Sequence, residues 1–371
     1  MADQPASAEI SARFHALHEI VRAARNNTAT NYWDYLTGAA ETETTLRRNR
    51  LAIDSLGFRP RVLRDVSKLD TGGRLFGKPS RLPVVLAPIG SIENLDAGGT
   101  ATVAKAAARF GVPLFVSSVA QPGLEATAQA APKARRIYQL YVRGNAAWVD
   151  DFARRAIDSG YEAFCFTVDT AIYGRRERDI AKRYQVSGRR QVVQEMEEFQ
   201  AAFSWDQVKR FQDKHAVPVI LKGIATAEDA DAACALGVAC IYVSNHGGRQ
   251  LDQGRGTLDI LPEVVQAVRG RAQIIVDGSF CRGGDIVKAM ALGADAVGIG
   301  RLYCYGLAAA GEEGVVRLLE LLETEFKLAL ALLGAQNCRQ LERAMLHPAP
   351  PVAIPHALSA FPLLDLTHPG Y

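Results

Sequence analysis

One short segment of the 371-residue sequence gathers groups that could do chemistry: Ser244 to Gln250, which reads Ser-Asn-His-Gly-Gly-Arg-Gln. His246 can accept a proton near neutral pH, and Arg249 can bind a carboxylate through two parallel hydrogen bonds. A lone histidine is more often structural than catalytic, but this one follows an apolar run and has polar groups and glycines on both sides. The spacing predicts a general base beside an anion site.

Two further cations are candidates for the same site. Lys222 ends the apolar run Val217 to Leu221. Because burying an unpaired ammonium is costly, we expect Lys222 to balance a negative charge that develops on a cofactor ring. Arg176 could bind the same carboxylate as Arg249, although, taken alone, a solvated charge on a loop is the better interpretation of Arg176.

Two glycine-rich segments predict a phosphate site. They are Gly278 to Gly284 and Gly298 to Arg301, each directly after or within an apolar run. Glycine lets backbone N–H groups approach a ligand closely, and the loops after the last two strands of an α/β barrel commonly bind phosphate. Arg301, and with it Arg282, would add fixed positive charge. The alternative is that these glycines only form tight turns, which leaves Arg301 without a role.

Eight short apolar runs carry these residues, with alanine-rich stretches of helical periodicity between them. Runs that are apolar at nearly every position suit strands buried on both faces, and alternation of strand and helix implies parallel pairing. Eight such units predict an α/β fold, a closed (β/α)₈ TIM barrel. The predicted strands are Pro83–Ala87, Leu114–Ser118, Arg136–Tyr141, Ala163–Asp169, Pro218–Gly223, Cys240–Asn245, Gln273–Gly278 and Ala296–Arg301.

Polar residues lie at or just after the ends of seven of these eight strands. Barrels of this kind build their active sites at the carboxyl ends of their strands, so chance turn residues are a poor explanation. The residues are Ser117, Gln139, Tyr141, Thr167, Asp169, Lys222, Ser244, His246, Asp277 and Arg301. The sequence therefore predicts one active site on this face of the barrel.

We predict three parts of the chain: an N-terminal extension (1–82) packed on the barrel, the barrel itself (83–345) and a C-terminal tail (346–371). Within the barrel, residues 173–216 form a long, charged connection after the fourth strand. Long insertions over a barrel mouth are usually lids or binding loops, and a disordered excursion is the competing interpretation. We favour the lid.

The composition limits the possible partners. A net charge of +3 with acidic and basic residues interspersed gives no broad basic field for nucleic acid. The six cysteines have no paired short spacing and are interpreted as reduced thiols. No apolar run approaches the ~18 residues of a membrane helix, and residues 1–10 lack a signal-peptide pattern. We expect a cytoplasmic protein with neither a membrane anchor nor a metal site.

These residues resemble the FMN-dependent 2-hydroxy acid oxidases and dehydrogenases, the family of glycolate oxidase, lactate oxidase, lactate monooxygenase and mandelate dehydrogenase. The resemblance runs from about residue 32 to about residue 341, and its core is Ser-Asn-His-Gly-Gly-Arg-Gln-Leu-Asp at residues 244–252. Supporting segments are 57–61, 139–141, 167–170, 174–176, 221–223 and 300–301. The resemblance implies bound FMN and oxidation of an (S)-2-hydroxy acid to the 2-oxo acid.

The resemblance implies four catalytic residues. His246 would take a proton from the substrate as two electrons pass to flavin N5, and Asp169 would orient this histidine and favour its charged form. Tyr141 would contact the substrate hydroxyl or oxo group. Lys222 would stabilise the reduced, anionic flavin near N1 and O2.

It also implies the binding residues. Arg249 and Arg176 would bind the substrate carboxylate, with a hydrogen bond from Tyr35. The remaining substrate pocket would be lined by Tyr141, Gly90, Val119 and Tyr173. FMN would contact Pro88, Ile89, Gly90, Ser117, Gln139, Thr167, Lys222 and Ser244 along its ring and ribityl chain, and Asp277, Gly278, Ser279, Arg282, Gly300 and Arg301 towards the phosphate.

Three positions depart from the family pattern. Cys281 stands where many members have an arginine on the FMN phosphate, so Arg282 or a water must replace it, or FMN is held less tightly. Gly90 stands where oxidases often carry alanine beside flavin N5, and mandelate dehydrogenase and lactate monooxygenase resemble this chain there. Val119 replaces the tryptophan of glycolate oxidase, which predicts room for a larger or aromatic side group, partly refilled by Tyr173.

The electron acceptor stays open among oxygen, a quinone and a redox protein, and the resemblance implies a homotetramer. Two other functions are alternatives: an FMN-dependent isomerase and a non-catalytic flavin-binding protein. An isomerase does not need arginines flanking a histidine. Non-catalytic relatives tend to lose the base or an arginine, and this chain keeps His246, Arg176 and Arg249 together.

Overall fold

Eight parallel strands close into a barrel in the computed structural model, which describes residues 4–186, 194–195 and 197–364. Each barrel strand pairs with the next along the chain, and β11 pairs with β4 to close the ring. The strands are β1 Leu56–Phe58, β2 Gly73–Leu75, β3 Lys78–Ser80, β4 Val84–Leu86, β5 Leu114–Ser117, β6 Arg136–Leu140, β7 Ala163–Thr167, β8 Val219–Ile224, β9 Cys240–Val243, β10 Gln273–Val276, β11 Ala296–Ile299 and β12 Leu346–Pro348.

The predicted (β/α)₈ barrel is confirmed, with small changes at the strand ends. Most predicted strands extended one or two residues past the observed end, because the polar residues there already belong to the loops. Two short antiparallel pairs lie outside the barrel: β1 with β12, and the hairpin β2–β3. Leu75 of that hairpin packs into the apolar cluster inside the barrel, which closes the end opposite the predicted site.

Helices cover the outside of the barrel. They are α1 Gln4–Arg13, α2 Leu17–Asn27, α3 Thr30–Thr37, α4 Thr44–Asp54, α5 Gly99–Phe110, α6 Leu124–Ala130, α7 Ala146–Asp158, α8 Glu177–Ala181, α9 Trp205–Lys214, α10 Ala227–Ala235, α11 Thr257–Val268, α12 Gly283–Ala291 and α13 Arg301–Leu333. Local sequence starts several of them: the side chains of Asn145 and Thr226 accept backbone N–H bonds at the first turns of α7 and α10. Helix α13 bends at Ala310–Gly311, where the backbone leaves helical geometry.

The barrel interior has an apolar layer beneath a polar one. The apolar layer consists of Val85, Phe115, Ile137, Cys165, Ile220, Tyr242, Ile275 and Ala296, all at most 3% exposed. Side chains alternate along a strand, so residues two positions further on share the same inward direction. Those residues are Ala87, Ser117, Gln139, Thr167, Lys222, Ser244, Asp277 and Gly298. The strands therefore bring the predicted polar residues together above a packed apolar base.

Segments before and after the barrel strands pack on the same core. Leu17, Ile20 and Val21 of α2 are at most 1% exposed and belong to the main apolar cluster, together with residues of α13.

The division into extension, barrel and tail stays a prediction. So does the lid over 173–216, which includes α8 and α9; its residues 187–193 and 196 lie outside the described residues, as do 1–3 and 365–371. In the described ranges, no helix combines the length and apolarity needed to span a bilayer.

Candidate active site

A single cavity at the carboxyl ends of the strands brings most of the predicted site residues together. One part, here called the histidine end, is lined by Tyr35, Tyr141, Arg176, His246 and Arg249. The other part, called the glycine-rich end, is formed by the loops after β10 and β11, residues 277–281 and 298–301. Lys222, Gly90 and Val119 also line the cavity.

His246 is held between a carboxylate and a phenol. Its Nδ1 lies 3.0 Å from Asp169 Oδ1, and its Nε2 lies 3.3 Å from Tyr141 Oη. The backbone N–H of His246 donates to Ser244 Oγ at 3.1 Å, and its φ of +58° is in the left-handed region. This backbone conformation is unfavourable for histidine and is maintained by its surroundings, as is common at functional sites.

The environment favours a neutral histidine beside a charged carboxylate. Burial lowers the pKa of His246, and the nearby Lys222 and Arg176 charges lower it further, against the opposing effect of Asp169. Burial alone would raise the pKa of Asp169, but His246 and Lys222 outweigh it and the pKa is lowered. A carboxylate on Nδ1 places the proton there and leaves the Nε2 lone pair as the basic site.

Two arginines, Arg176 buried and Arg249 half-buried, flank this base. The Cζ atom of Arg249 lies 4.7 Å from the centroid of the Tyr35 ring, and that of Arg176 lies 5.8 Å from the same centroid. Nη1 of Arg249 donates to the carbonyls of Tyr35 at 2.6 Å and Gly38 at 2.8 Å, which fixes the guanidinium. Arg176 is only 5% exposed, so its interpretation as a solvated loop charge is wrong. Two fixed cations beside a base form a site for a carboxylate.

Lys222 lies in the floor of the cavity as a paired charge. Its Nζ donates to Ser244 Oγ at 2.9 Å and lies 3.6 Å from Asp277 Oδ2. Burial would lower the pKa of Lys222, but Asp277 and Asp169 outweigh burial and raise it. The ammonium therefore keeps its charge inside the barrel, where it can stabilise negative charge on a bound ring.

Two polar side chains in the floor lack partners. The amide of Gln139 and the hydroxyl of Thr167 are at most 1% exposed, and neither forms a hydrogen bond with any described residue. Leaving such a group unsatisfied costs roughly 1–3 kcal/mol. A flat heterocycle with both donors and acceptors on its edge, such as the isoalloxazine of FMN, satisfies them. The floor of the cavity therefore fits FMN.

At the glycine-rich end, glycine is needed for more than tight turns. A Cβ atom on Gly298 would lie 1.9 Å from Tyr242 Oη, and one on Gly278, whose φ is +115°, would lie 2.4 Å from Thr257 Oγ1. Larger residues would therefore collide with the barrel. The alternative that these glycines serve only as turns does not hold at these two positions.

Arg301 supplies positive charge at this end. Its Nε, Nη1 and Nη2 atoms donate to the carbonyls of Leu36, Gly247 and Gly38 at 2.8, 3.1 and 2.7 Å. A guanidinium has five N–H donors, so two remain for a ligand. Arg301 therefore has both a fixed position in the cavity wall and free capacity for a phosphate.

Arg282 does not reach the cavity. Its Nη2 and Nε atoms lie 2.6 and 3.0 Å from the Glu325 carboxylate, and its Nη1 donates to the Ala360 carbonyl at 3.1 Å. The backbone N–H groups of Cys281 and Arg282 both donate to Asp285. The expectation that Arg282 replaces the arginine missing at position 281 is therefore corrected: its guanidinium is paired elsewhere.

The other predicted residues fall into three groups. The cavity wall contains Pro88, Ile89, Gly90, Val119, Lys222, Asp277, Gly278, Ser279, Gly300 and Arg301. The floor directly beneath contains Ser117, Gln139, Thr167 and Ser244. Tyr173 belongs to a neighbouring cavity that shares Tyr35 and Arg176 with the first.

Sequence reasoning missed several residues of the cavity wall, among them Tyr305 and Ala357. Tyr305 could have been found, because it follows Arg301 by four residues and therefore lies on the same face of α13. Ala357 has no local signal, since an alanine in a proline-rich tail has no chemistry of its own. Both lie at the glycine-rich end.

The fold and the cavity define a class: a (β/α)₈ barrel oxidoreductase that binds FMN above a polar floor. The FMN-dependent dehydrogenase family matches residues 24–348, which is most of the chain. The chain belongs to this family.

Relatives of known activity support the same class. The chain is 38% identical over 330 residues to a peroxisomal (S)-2-hydroxyacid oxidase of Arabidopsis thaliana, covering 84% of this chain and 90% of that protein. It is 34% identical over 355 residues to an L-lactate oxidase of Nostoc sp., covering 89% and 97%. These relatives are oxidases of 2-hydroxy acids.

Solved structures agree in fold. Mandelate oxidase superposes with a TM-score of 0.86 at 36% identity, covering 92% of this chain and all of that one. A chimera of (S)-mandelate dehydrogenase superposes with a TM-score of 0.85 at 30% identity, covering 90% and 99%. A variant of mandelate oxidase in the same group holds a C4a-hydroxy-FMN adduct. This protein is accordingly an FMN-dependent oxidoreductase.

Proposed function

We propose that this protein oxidises an (S)-2-hydroxy acid to the corresponding 2-oxo acid, with His246 as the general base. One observation carries the proposal: a half-buried histidine, paired with Asp169 at 3.0 Å, lies in the same cavity wall as two arginines. A 2-hydroxy acid has both groups that this arrangement serves, a carboxylate to bind and a carbinol to deprotonate. FMN, when bound, accepts the two electrons.

Each residue has a distinct task in this proposal. Arg249 and Arg176 bind the carboxylate, with Tyr35 completing that site, and thereby fix the carbinol relative to the base. His246 takes the departing proton at Nε2, and Asp169 stabilises the imidazolium that results. Tyr141, whose Oη lies 3.3 Å from Nε2, contacts the substrate oxygen. Lys222 stabilises negative charge on the cofactor ring.

The substrate is proposed to carry a larger side group than glycolate. Val119 and Gly90 line the cavity and leave room that bulkier residues would fill. The neighbouring cavity with Tyr173 shares Tyr35 and Arg176 with the histidine end, so it borders the carboxylate site. A mandelate-like or lactate-like acid fits this arrangement. The electrons then pass to oxygen, a quinone or a redox protein.

We further propose a cytoplasmic homotetramer. The compartment rests on the interpretation of the six cysteines as reduced thiols and the assembly on the resemblance to the family; light scattering of the purified protein tests the assembly. The isomerase and the non-catalytic flavoprotein are not favoured, because relatives at 34–38% identity are oxidases.

The test is anaerobic stopped-flow reduction of the bound flavin by S and R enantiomers of lactate, mandelate and longer aliphatic 2-hydroxy acids, with glycolate for comparison. We expect rapid bleaching by at least one S acid and none by its R enantiomer. Admitting oxygen afterwards distinguishes an oxidase, which reoxidises fast, from a dehydrogenase. Failure of every acid to bleach bound FMN would contradict the proposal.

A further inference from the structure

The start of α12 offers little to a phosphate at the glycine-rich end. The N–H groups of Cys281 and Arg282 donate to Asp285 at 2.9 and 3.0 Å, and that of Gly283 donates to Glu325 at 2.9 Å. The first turn of α12 is therefore already capped by carboxylates. A phosphate bound here takes its donors from elsewhere in the cavity wall, Arg301 among them.

Tyr305 has such a donor. Its side chain lines the cavity, is fully buried, and its Oη forms no hydrogen bond with any described residue. The ring is held between Trp33 and Phe361, with centroid distances of 5.4 and 6.4 Å. Burial raises the pKa of Tyr305, so the hydroxyl keeps its proton and can donate it in a hydrogen bond. The phenol is one helical turn from Arg301.

The C-terminal tail closes the same end of the cavity. Ala357 lines the cavity, and two contacts anchor the segment around it. Phe361 is 2% exposed and its ring lies 5.8 Å from that of His18. The Ala360 carbonyl accepts a hydrogen bond from Arg282 at 3.1 Å. This segment lies after residue 348, where the match to the family ends.

From these contacts we propose that the Tyr305 hydroxyl, together with tail residues 356–361, completes the FMN phosphate site of this protein. Tyr305 donates a hydrogen bond to the phosphate beside Arg301, and the tail excludes water from it. Arg282 acts as a positioning residue that ties the tail to Glu325. Cys281 is neutral in this setting, since burial raises its pKa to about 12, and so does not repel the phosphate.

The inference rests on the FMN cofactor and not on the identity of the substrate. Its test therefore measures flavin binding to the apoprotein of the full chain, by quenching of flavin fluorescence. Riboflavin, which has the same ring and ribityl chain without the phosphate, is the matched ligand. A contact with the phosphate must change the Kd of FMN and leave that of riboflavin unaltered.

The first variant is Tyr305→Phe. Hydrogen bonds to charged groups contribute about 1.5–3 kcal/mol, so we expect the Kd of FMN to rise roughly ten- to hundredfold. The Kd of riboflavin should change less than about twofold. Tyr303→Phe is the control, because Tyr303 is also a buried phenol on α13 and its Oη donates to the Ala87 carbonyl. In this variant, the ratio of the Kd of FMN to the Kd of riboflavin should equal that of the wild type.

The second variant is Ala357→Asp, which places a negative charge in the proposed wall. Repulsion of the phosphate should raise the Kd of FMN at least tenfold, while Ala353→Asp, at an exposed position of the same tail, should have no effect. Melting temperatures of the apoproteins check that each variant folds. Equal losses for FMN and riboflavin, or no loss in either variant, would overturn the inference. If the wild-type protein binds FMN tightly but oxidises no 2-hydroxy acid, only the proposed substrate would be contradicted.

Discussion

The two ends of the cavity are built in different ways. At the histidine end, His246 and its two partners Asp169 and Tyr141 come just after the ends of β9, β7 and β6, each next to an apolar strand in sequence. At the glycine-rich end, strand loops supply the close backbone approach, but the enclosing side chains come from α13 and the C-terminal tail. The proposed base and its partners thus depend on the barrel strands, whereas the proposed closure of the phosphate site depends on segments packed around the barrel.

This comparison predicts the largest effect at His246. His246→Ala should lower the rate of flavin reduction by about 10²–10⁴, the typical contribution of a general base. The protein should still bind FMN, because the donors proposed for the phosphate lie at the other end. Stopped-flow reduction and the flavin spectrum measure the two properties separately. A near-normal rate of reduction would remove His246 from the mechanism.

A large effect on stability is expected at the glycine-rich end. Nη1 of Arg50 lies 2.7 Å from Asp285 Oδ2, both side chains at most 6% exposed, and this carboxylate in turn caps α12. Breaking a buried ion pair costs about 3–5 kcal/mol, so Arg50→Met should lower the free energy of unfolding by that amount. Arg47→Met, at an exposed position of α4, is the control.

The same pair has a defined pH dependence. Burial would raise the pKa of Asp285, but Arg50 outweighs it and the pKa is lowered. The carboxylate therefore contributes its full stability above its ordinary pKa of 3.8 and loses it as the pH falls through its lowered value in the folded protein. In Arg50→Met burial acts on Asp285 without the opposing charge of Arg50, so the loss of stability between neutral and acidic pH should be smaller than in the wild type. Urea unfolding at several acidic pH values tests this; identical acid limbs in both proteins would contradict it.

Asp169→Asn should produce a smaller effect than loss of the histidine. The asparagine no longer stabilises an imidazolium, and we expect flavin reduction to slow roughly 10²-fold. The rate of flavin reduction should fall at acidic pH as His246 becomes protonated. Because Asp169 raises the pKa of His246, removing Asp169 should move this acidic limb to lower pH. A pH series of reduction rates tests both. A limb that moves to higher pH would contradict the pairing.

Arg249→Lys is expected to have the smallest effect of the four. A lysine keeps the charge but not the two parallel donors, which reduces substrate binding by about 1.5–3 kcal/mol. KM should rise roughly ten- to hundredfold with a smaller change in kcat. Unchanged KM and kcat would contradict the carboxylate site. The Kd of FMN should equal that of the wild type, which distinguishes the two ends.

The sequence was informative where function depends on strands. The eight strands, the barrel and the gathering of His246, Asp169 and Lys222 followed from apolar runs and their polar ends. It was misleading for Arg282, because nothing local reveals that Glu325 and the Ala360 carbonyl bind its guanidinium. Ala357 was missed for the same reason: its place in the cavity depends on packing of Phe361 far from the strands.

The most direct test of the central claim is the pH dependence of anaerobic flavin reduction by the preferred S-2-hydroxy acid, in the wild type and in His246→Gln. We predict a rate that is constant near neutral pH and falls along one acidic limb below pH 6.5, the ordinary pKa of histidine. The slow residual reduction of the flavin in the variant should not show this decrease at acidic pH. A decrease in the rate that begins above pH 6.5, or one that is also seen in His246→Gln, would contradict His246 as the base.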